Sequence, residues 1–101
     1  MTESAIEPSP NETELRGNWI PASDGLLVDD ATERRIECLV NGYFEHLADD
    51  WTGWESLYRD PRDGRLWELT YPHGEMHGGG PRLLRAVSRD QVAGKYASAA
   101  I

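Results

Sequence analysis

The chain's 101 residues suit one domain with a modest core, and 39% hydrophobic content with four tryptophans excludes a wholly disordered polymer. The formal net charge of −8 disfavours direct binding to nucleic acid, whose phosphates would be repelled. One cysteine, Cys38, cannot form an internal disulfide or supply a zinc cluster, and no apolar run is long enough to cross a membrane. From the N-terminus, residues 1–14 read as a flexible tail, with Pro8, Ser9, Pro10 and Asn11 among scattered glutamates and little to bury. The tail lacks the basic and apolar regions of a secretory leader, so the expected location is the reducing cytoplasm. Residues 15–96 read as a single domain and 97–101 as a second, C-terminal tail.

Gly17 to Ile20 is a short extended piece ended by Pro21, and Ser23-Asp24-Gly25 is a turn before a second short strand, Leu26 to Val28. The clearest element is a helix from about Asp30 to about Ala48. Ile36, Leu39, Val40, Tyr43 and Leu47 recur on one stripe, and Asp29 and Asp30 suit its cap and dipole. Gly42 weakens the pattern by about 1 kcal/mol relative to alanine, so the helix is a candidate to end or bend there. Asp30 and Arg34 are spaced to pair, whereas Glu33 and Glu37 are like charges four apart, as expected of a face that meets a cation.

Trp51-Thr52-Gly53 breaks the helix. Trp54–Arg59, a turn through Asp60-Pro61-Arg62-Asp63-Gly64, and Arg65–Tyr71 read as a β-hairpin. Trp67, Leu69 and Tyr71 share one face of its second strand, and Leu66, Glu68 and Thr70 the other. After a glycine-rich loop, Arg82–Val87 reads as a third strand, and Ser88 caps a short helix from Arg89 to about Tyr96. The predicted fold is α+β: an antiparallel sheet of three or four strands packed against one long and one short helix.

The acidic surplus is uneven. Residues 1–50 hold 12 acidic and 3 basic side chains, residues 51–101 hold 6 and 7. Solubility alone accounts for such a surplus in many proteins, but an acidic half also attracts a basic protein surface. No catalytic constellation is apparent. His73, Glu75 and His77 lack the helix or the CxxC partner that known zinc motifs use. Gly78-Gly79-Gly80-Pro81 lacks the Lys and Ser/Thr of a phosphate-binding loop, and its glycines suit positive φ or close approach instead. Cys38 sits among acids that work against a reactive thiolate. Glu68, in mid-strand, must pair with a cation such as Arg59 or Arg65 if buried. Trp19, Trp54 and Trp67 are expected in the core. Neither a cofactor, a metal nor an enzymatic activity is expected.

The order of residues resembles a known family. Gly17-Asn18-Trp19 precedes the helical block. Then come Tyr58-x-Asp60-Pro61-x-Asp63-Gly64-Arg65-x-Trp67-Glu68-Leu69-x-Tyr71-Pro72 and Met76-His77-Gly78-Gly79-Gly80-Pro81. This pattern, over roughly residues 14 to 96, resembles the immunity protein 27 family of bacterial polymorphic toxin systems. The resemblance implies a protein that binds and neutralises the C-terminal domain of a cognate toxin, by stoichiometric contact and without catalysis. An acidic protein of this kind would mimic phosphates in the basic cleft of a nuclease-like toxin. The expected contact residues are Asp29, Asp30, Glu33, Glu37 and Asn41 on the helix, then Tyr58, Glu68 and His77 on the hairpin and loop. The free protein is expected to be a monomer. Two other classes compete. A small ligand-binding domain would show a concave aromatic pocket on the sheet face, and a small hydrolase would bring Glu68 and His77 together beside a cleft.

Overall fold

Alternation along the hairpin strands sets the architecture. In the computed structural model, which describes residues 6–21, 25–74 and 80–96, the chain runs β1 (Glu14–Arg16), β2 (Trp19–Pro21), β3 (Leu27–Asp29), α1 (Ala31–Cys38), β4 (Glu45–Asp49), β5 (Ser56–Arg59), β6 (Leu66–Thr70), β7 (Leu83–Val87) and α2 (Arg89–Val92). Five strands form one antiparallel sheet in the order β1-β7-β6-β5-β4, and β2 and β3 form a separate two-stranded ribbon. The α+β class and the mostly antiparallel sheet are as expected, with more strands than three or four. Pairing Tyr58 with Trp67, and Leu15 and Leu69 with Leu84, gathers these side chains on one face, where Ile36, Leu39 and Phe44 pack over them. The opposite face carries Ala48, Leu57 and Leu66 beneath Val92 and Tyr96. Ile36, Leu39, Leu57 and Leu84 are completely buried, and each contributes roughly 1.5–3 kcal/mol by leaving water.

The long helix is a correction. Asp30 caps α1 by accepting from the Glu33 backbone N–H at 2.7 Å, as expected, but the α-helix ends at Cys38. Leu39–Tyr43 is a π turn, closed by the Phe44 N–H donating to Leu39 O at 2.7 Å, and Gly42 lies inside it. Residues 45–48, expected to be the last helical turn, belong instead to β4. A bulge between His46 and Ala48 brings both Leu47 and Ala48 toward the same cluster, which breaks the two-residue period that marks a strand. The turn at 60–64 forms as expected. Gly64 takes φ +80°, and the completely buried Asp60 accepts from Tyr43 Oη at 2.9 Å and from the Arg62 N–H at 2.8 Å. Burial, then Asp60, pushes the Tyr43 phenol up to about 12. The Ser88 cap of α2 is a full capping box with Gln91.

The N-terminal segment is held from Ile6 onward rather than free. Arg35 donates to Ile6 O (3.0 Å) and Glu7 O (3.2 Å) and grips both carboxylate oxygens of Glu12 (2.7 and 2.9 Å). Arg62 donates to Pro8 O, while Arg65 donates to Ser9 O (3.0 Å) and Glu12 O (2.8 Å). The Arg35 hydrogen bonds hold the Glu12 carboxyl down at about 2. A depressed carboxylate contributes stability above its unfolded value, near 4.5, and loses it as pH falls toward 2. With about a third of this side chain exposed, screening reduces the contribution to about 1–2 kcal/mol. Glu12→Gln is therefore expected to lower stability by that amount at neutral pH, the gap to the parent closing between about pH 4.5 and 2. Urea unfolding across that range checks it, and a gap independent of pH would assign the effect to packing.

Candidate functional site

The expected contact residues of α1 divide into two groups. Glu33 is 4% exposed and points inward, where Arg82 meets it twice, through the backbone N–H at 3.1 Å and through Nε at 2.6 Å. Arg82 also donates from Nη2 to Glu37 at 2.7 Å, so one guanidinium lies between the two glutamates. The cation implied by the Glu33/Glu37 repulsion is thus supplied by this chain. Gly17 belongs to the same joint, because a Cβ there would overlap the Glu33 carboxylate and crowd Arg82 O at 3.1 Å. Arg34 does not pair with Asp30 but donates to Asp29 O at 2.7 Å. Asp30 accepts from the Asn18 N–H at 3.3 Å as well as capping α1. Of the expected contact residues around α1, those exposed to solvent are Asp29 before its cap, Glu37 on it and Asn41 after it, the last two bonded to each other, with Arg34 exposed beside them.

The expected hairpin residues are inside. Glu68 is 3% exposed, and its carboxylate accepts from Tyr96 Oη (3.0 Å), Lys95 Nζ (2.7 Å) and Arg85 Nη2 (3.3 Å). Its partners are therefore Lys95 and Arg85 rather than Arg59 or Arg65, which pair with Glu45 and Asp63. Burial, then the nearby Glu68 carboxylate, pushes the Tyr96 phenol far above its ordinary range. Tyr58 is buried against Phe44 and His46. His77 lies outside the described residues, as do Glu75, Met76, Gly78 and Gly79, and Gly80 takes φ +73°.

The sequence reading missed what is exposed instead. Trp51 is 93% exposed and Trp54, expected in the core, is 57% exposed. Trp54 meets Tyr71 edge-on, with ring centroids 5.3 Å apart at 85°, beside a cleft of about 340 Å³ shared with Asp50 and Glu55. On the β2–β3 ribbon, Ile20, Leu26, Leu27 and Val28 are also exposed. The strand register places Arg16, Leu83, Thr70, Ser56 and Asp49 at one end of the sheet. The Gly17–Arg82 joint, the Trp51–Trp54 loop and Tyr71 therefore adjoin the same end. Trp51 and Trp54 flank the Thr52-Gly53 turn, and nothing in their local sequence marks them as exposed.

The sequence model of a known family, immunity protein 27, matches residues 22–88. The chain belongs to the immunity protein 27 family. No curated protein and no solved structure matches it. Family membership implies neutralisation of a toxin in general and the binding of a cognate one, in a family that is generally not enzymatic. In this immunity protein 27 family member, the residues that carry the resemblance build the fold: Asp60 and Gly64 make the turn, Trp67 and Leu69 the core, Glu68 the buried ion pairs. Among the described residues no helix is long and apolar enough to cross a membrane, and no three His, Cys, Asp or Glu side chains could hold a metal ion. Asp49 accepts from Ser56 Oγ at 2.6 Å and meets His46 Nε2 at 2.8 Å, both on Oδ1, which lowers its carboxyl. The carboxylate lies between hydroxyl and imidazole here, so His46 is not placed to take the Ser56 proton.

Proposed function

We propose that this chain neutralises a cognate bacterial toxin domain by one-to-one binding, as a cytoplasmic monomer in the producing cell and without catalysis. The family match carries this reading. The partner surface that fits is basic, and a nuclease, whose cleft must attract phosphates, is the toxin class with that property. Of the residues first expected to make contact, Asp29, Glu37 and Asn41 are exposed, which supports a part for them in the interface, while the Asp30 carboxylate is engaged in capping the helix. Glu33, Tyr58 and Glu68 act by holding the frame. The exposed ribbon residues Ile20, Leu26, Leu27 and Val28 adjoin this acidic helix start and supply the apolar area that a specific interface needs.

Co-purification with the toxin domain encoded beside it, followed by calorimetry at several salt concentrations, tests the proposal. The expected result is a one-to-one complex whose affinity falls about tenfold between roughly 0.05 and 0.5 M salt. Loss of the complex altogether, with cells still killed when they express this chain, would sink the reading.

A further inference from the structure

The cleft beside Trp54 has a chemistry of its own. Its walls are the indole of Trp54 and the ring of Tyr71, held nearly perpendicular, and two carboxylates, Asp50 and Glu55, line it. Asp50 is built in place: its Oδ1 accepts from Thr52 Oγ1 at 2.7 Å and from the N–H groups of Gly53 and Glu55 at 3.0 and 3.2 Å. Gly53, at φ +81°, allows the turn that aims these donors. The Asp50 carboxylate has no cationic hydrogen-bond partner among the described residues, whereas Glu55 and the buried Glu68 share Lys95. Lys95 acts on Asp50 only through space, so a fixed carboxylate with no cation bonded to it sits against two aromatic rings.

We propose that this cleft receives a guanidinium group, the end of an arginine side chain that projects from a protein partner. A planar cation stacks on an aromatic face and donates sideways to carboxylates at once, which a compact ammonium does less well. An apolar side chain would strip water from Asp50 without repaying it, and an anion would be repelled. The volume, about 340 Å³, also admits the aliphatic stem of the side chain. That the partner is the toxin rests on the function proposed above; the receptor itself does not.

The test uses the full chain, isotope-labelled, titrated with N-acetyl-arginine methylamide and followed by the amide and indole N–H resonances. The expected result is saturable shifts at Gly53, Trp54 and Glu55, several-fold weaker with the lysine analogue and absent with the norleucine analogue. Trp54→Ala and Asp50→Asn are each expected to weaken binding at least about tenfold. The asparagine keeps an acceptor for the turn, and unchanged resonances elsewhere confirm that each variant is folded. Equal response to arginine and norleucine, shifts spread over the whole acidic surface, or indifference to Asp50→Asn would overturn the proposal. Because the titration needs no toxin, failure to form a toxin complex bears on the earlier reading alone. Where the complex forms, Trp54→Ala is expected to cost it at least tenfold in affinity, and an unchanged affinity would remove this cleft from that interface.

Discussion

Glu68→Ala is expected to lower folding stability by about 3–5 kcal/mol, the usual cost of removing one partner from a buried ion pair. The carboxylate is the meeting point of Tyr96, Lys95 and Arg85, and it joins β6 to β7 and to the turn after α2. Its loss leaves the buried Tyr96 hydroxyl without an acceptor and Lys95 with Glu55 alone. Burial works against the Lys95 ammonium, and the Glu55 and Glu68 hydrogen bonds outweigh it, so its pKa is raised. Should the alanine variant fail to fold, Glu68→Gln keeps the shape and one acceptor, and about 1–3 kcal/mol is expected. Urea unfolding with an unchanged slope measures both, and a loss below about 1 kcal/mol for the alanine variant would contradict the buried role. Where the variant is folded, its affinity for a partner is expected to stay within about twofold of the parent, because a 3% exposed group offers nothing to contact.

Arg82→Ala is the second large effect, again about 3–5 kcal/mol. It strands the carboxylate of Glu33 in the interior and returns Glu33 and Glu37 to unscreened repulsion. The signature is its rescue. Adding Glu33→Gln removes the stranded charge, and the double variant is expected to recover about 1–2 kcal/mol relative to Arg82→Ala. Thermal or urea unfolding of the four-member cycle reads this coupling. Additive losses would mean that Arg82 acts through packing of its stem and not through the bridge.

The parts of the fold legible in the sequence are those with strong local period or turn chemistry. Alternation from Leu66 to Tyr71 foretold two differently buried faces, and Asp60-Pro61 with Gly64 foretold the turn. β1 was invisible because Glu14-Leu15-Arg16 holds one apolar residue, and its pairing with β7 is a contact across most of the chain. β4 was misread because Leu47 continues the helical stripe of Tyr43, while the bulge hides the strand period. At the site, charge type was legible but not its use. Glu33 and Glu37 read as a face for a cationic partner, yet nothing local shows that Arg82, 45 residues beyond Glu37, already lies between them. Trp54 was placed in the core by residue type, where the size of a four-residue β5 leaves it outside.

The two outer strands of the sheet bear on how this protein behaves when crowded beside copies of itself. β1 offers three residues of backbone, and β4 is kinked by its bulge and carries Glu45, His46 and Asp49. Neither presents a long straight row of amides and carbonyls for another chain to continue. Edge-to-edge stacking, the common route by which small open sheets turn into fibres, therefore has no starting template at either side. On the five-stranded sheet, therefore, the free edges stay unoccupied as the chain accumulates to the concentrations a stoichiometric binder requires.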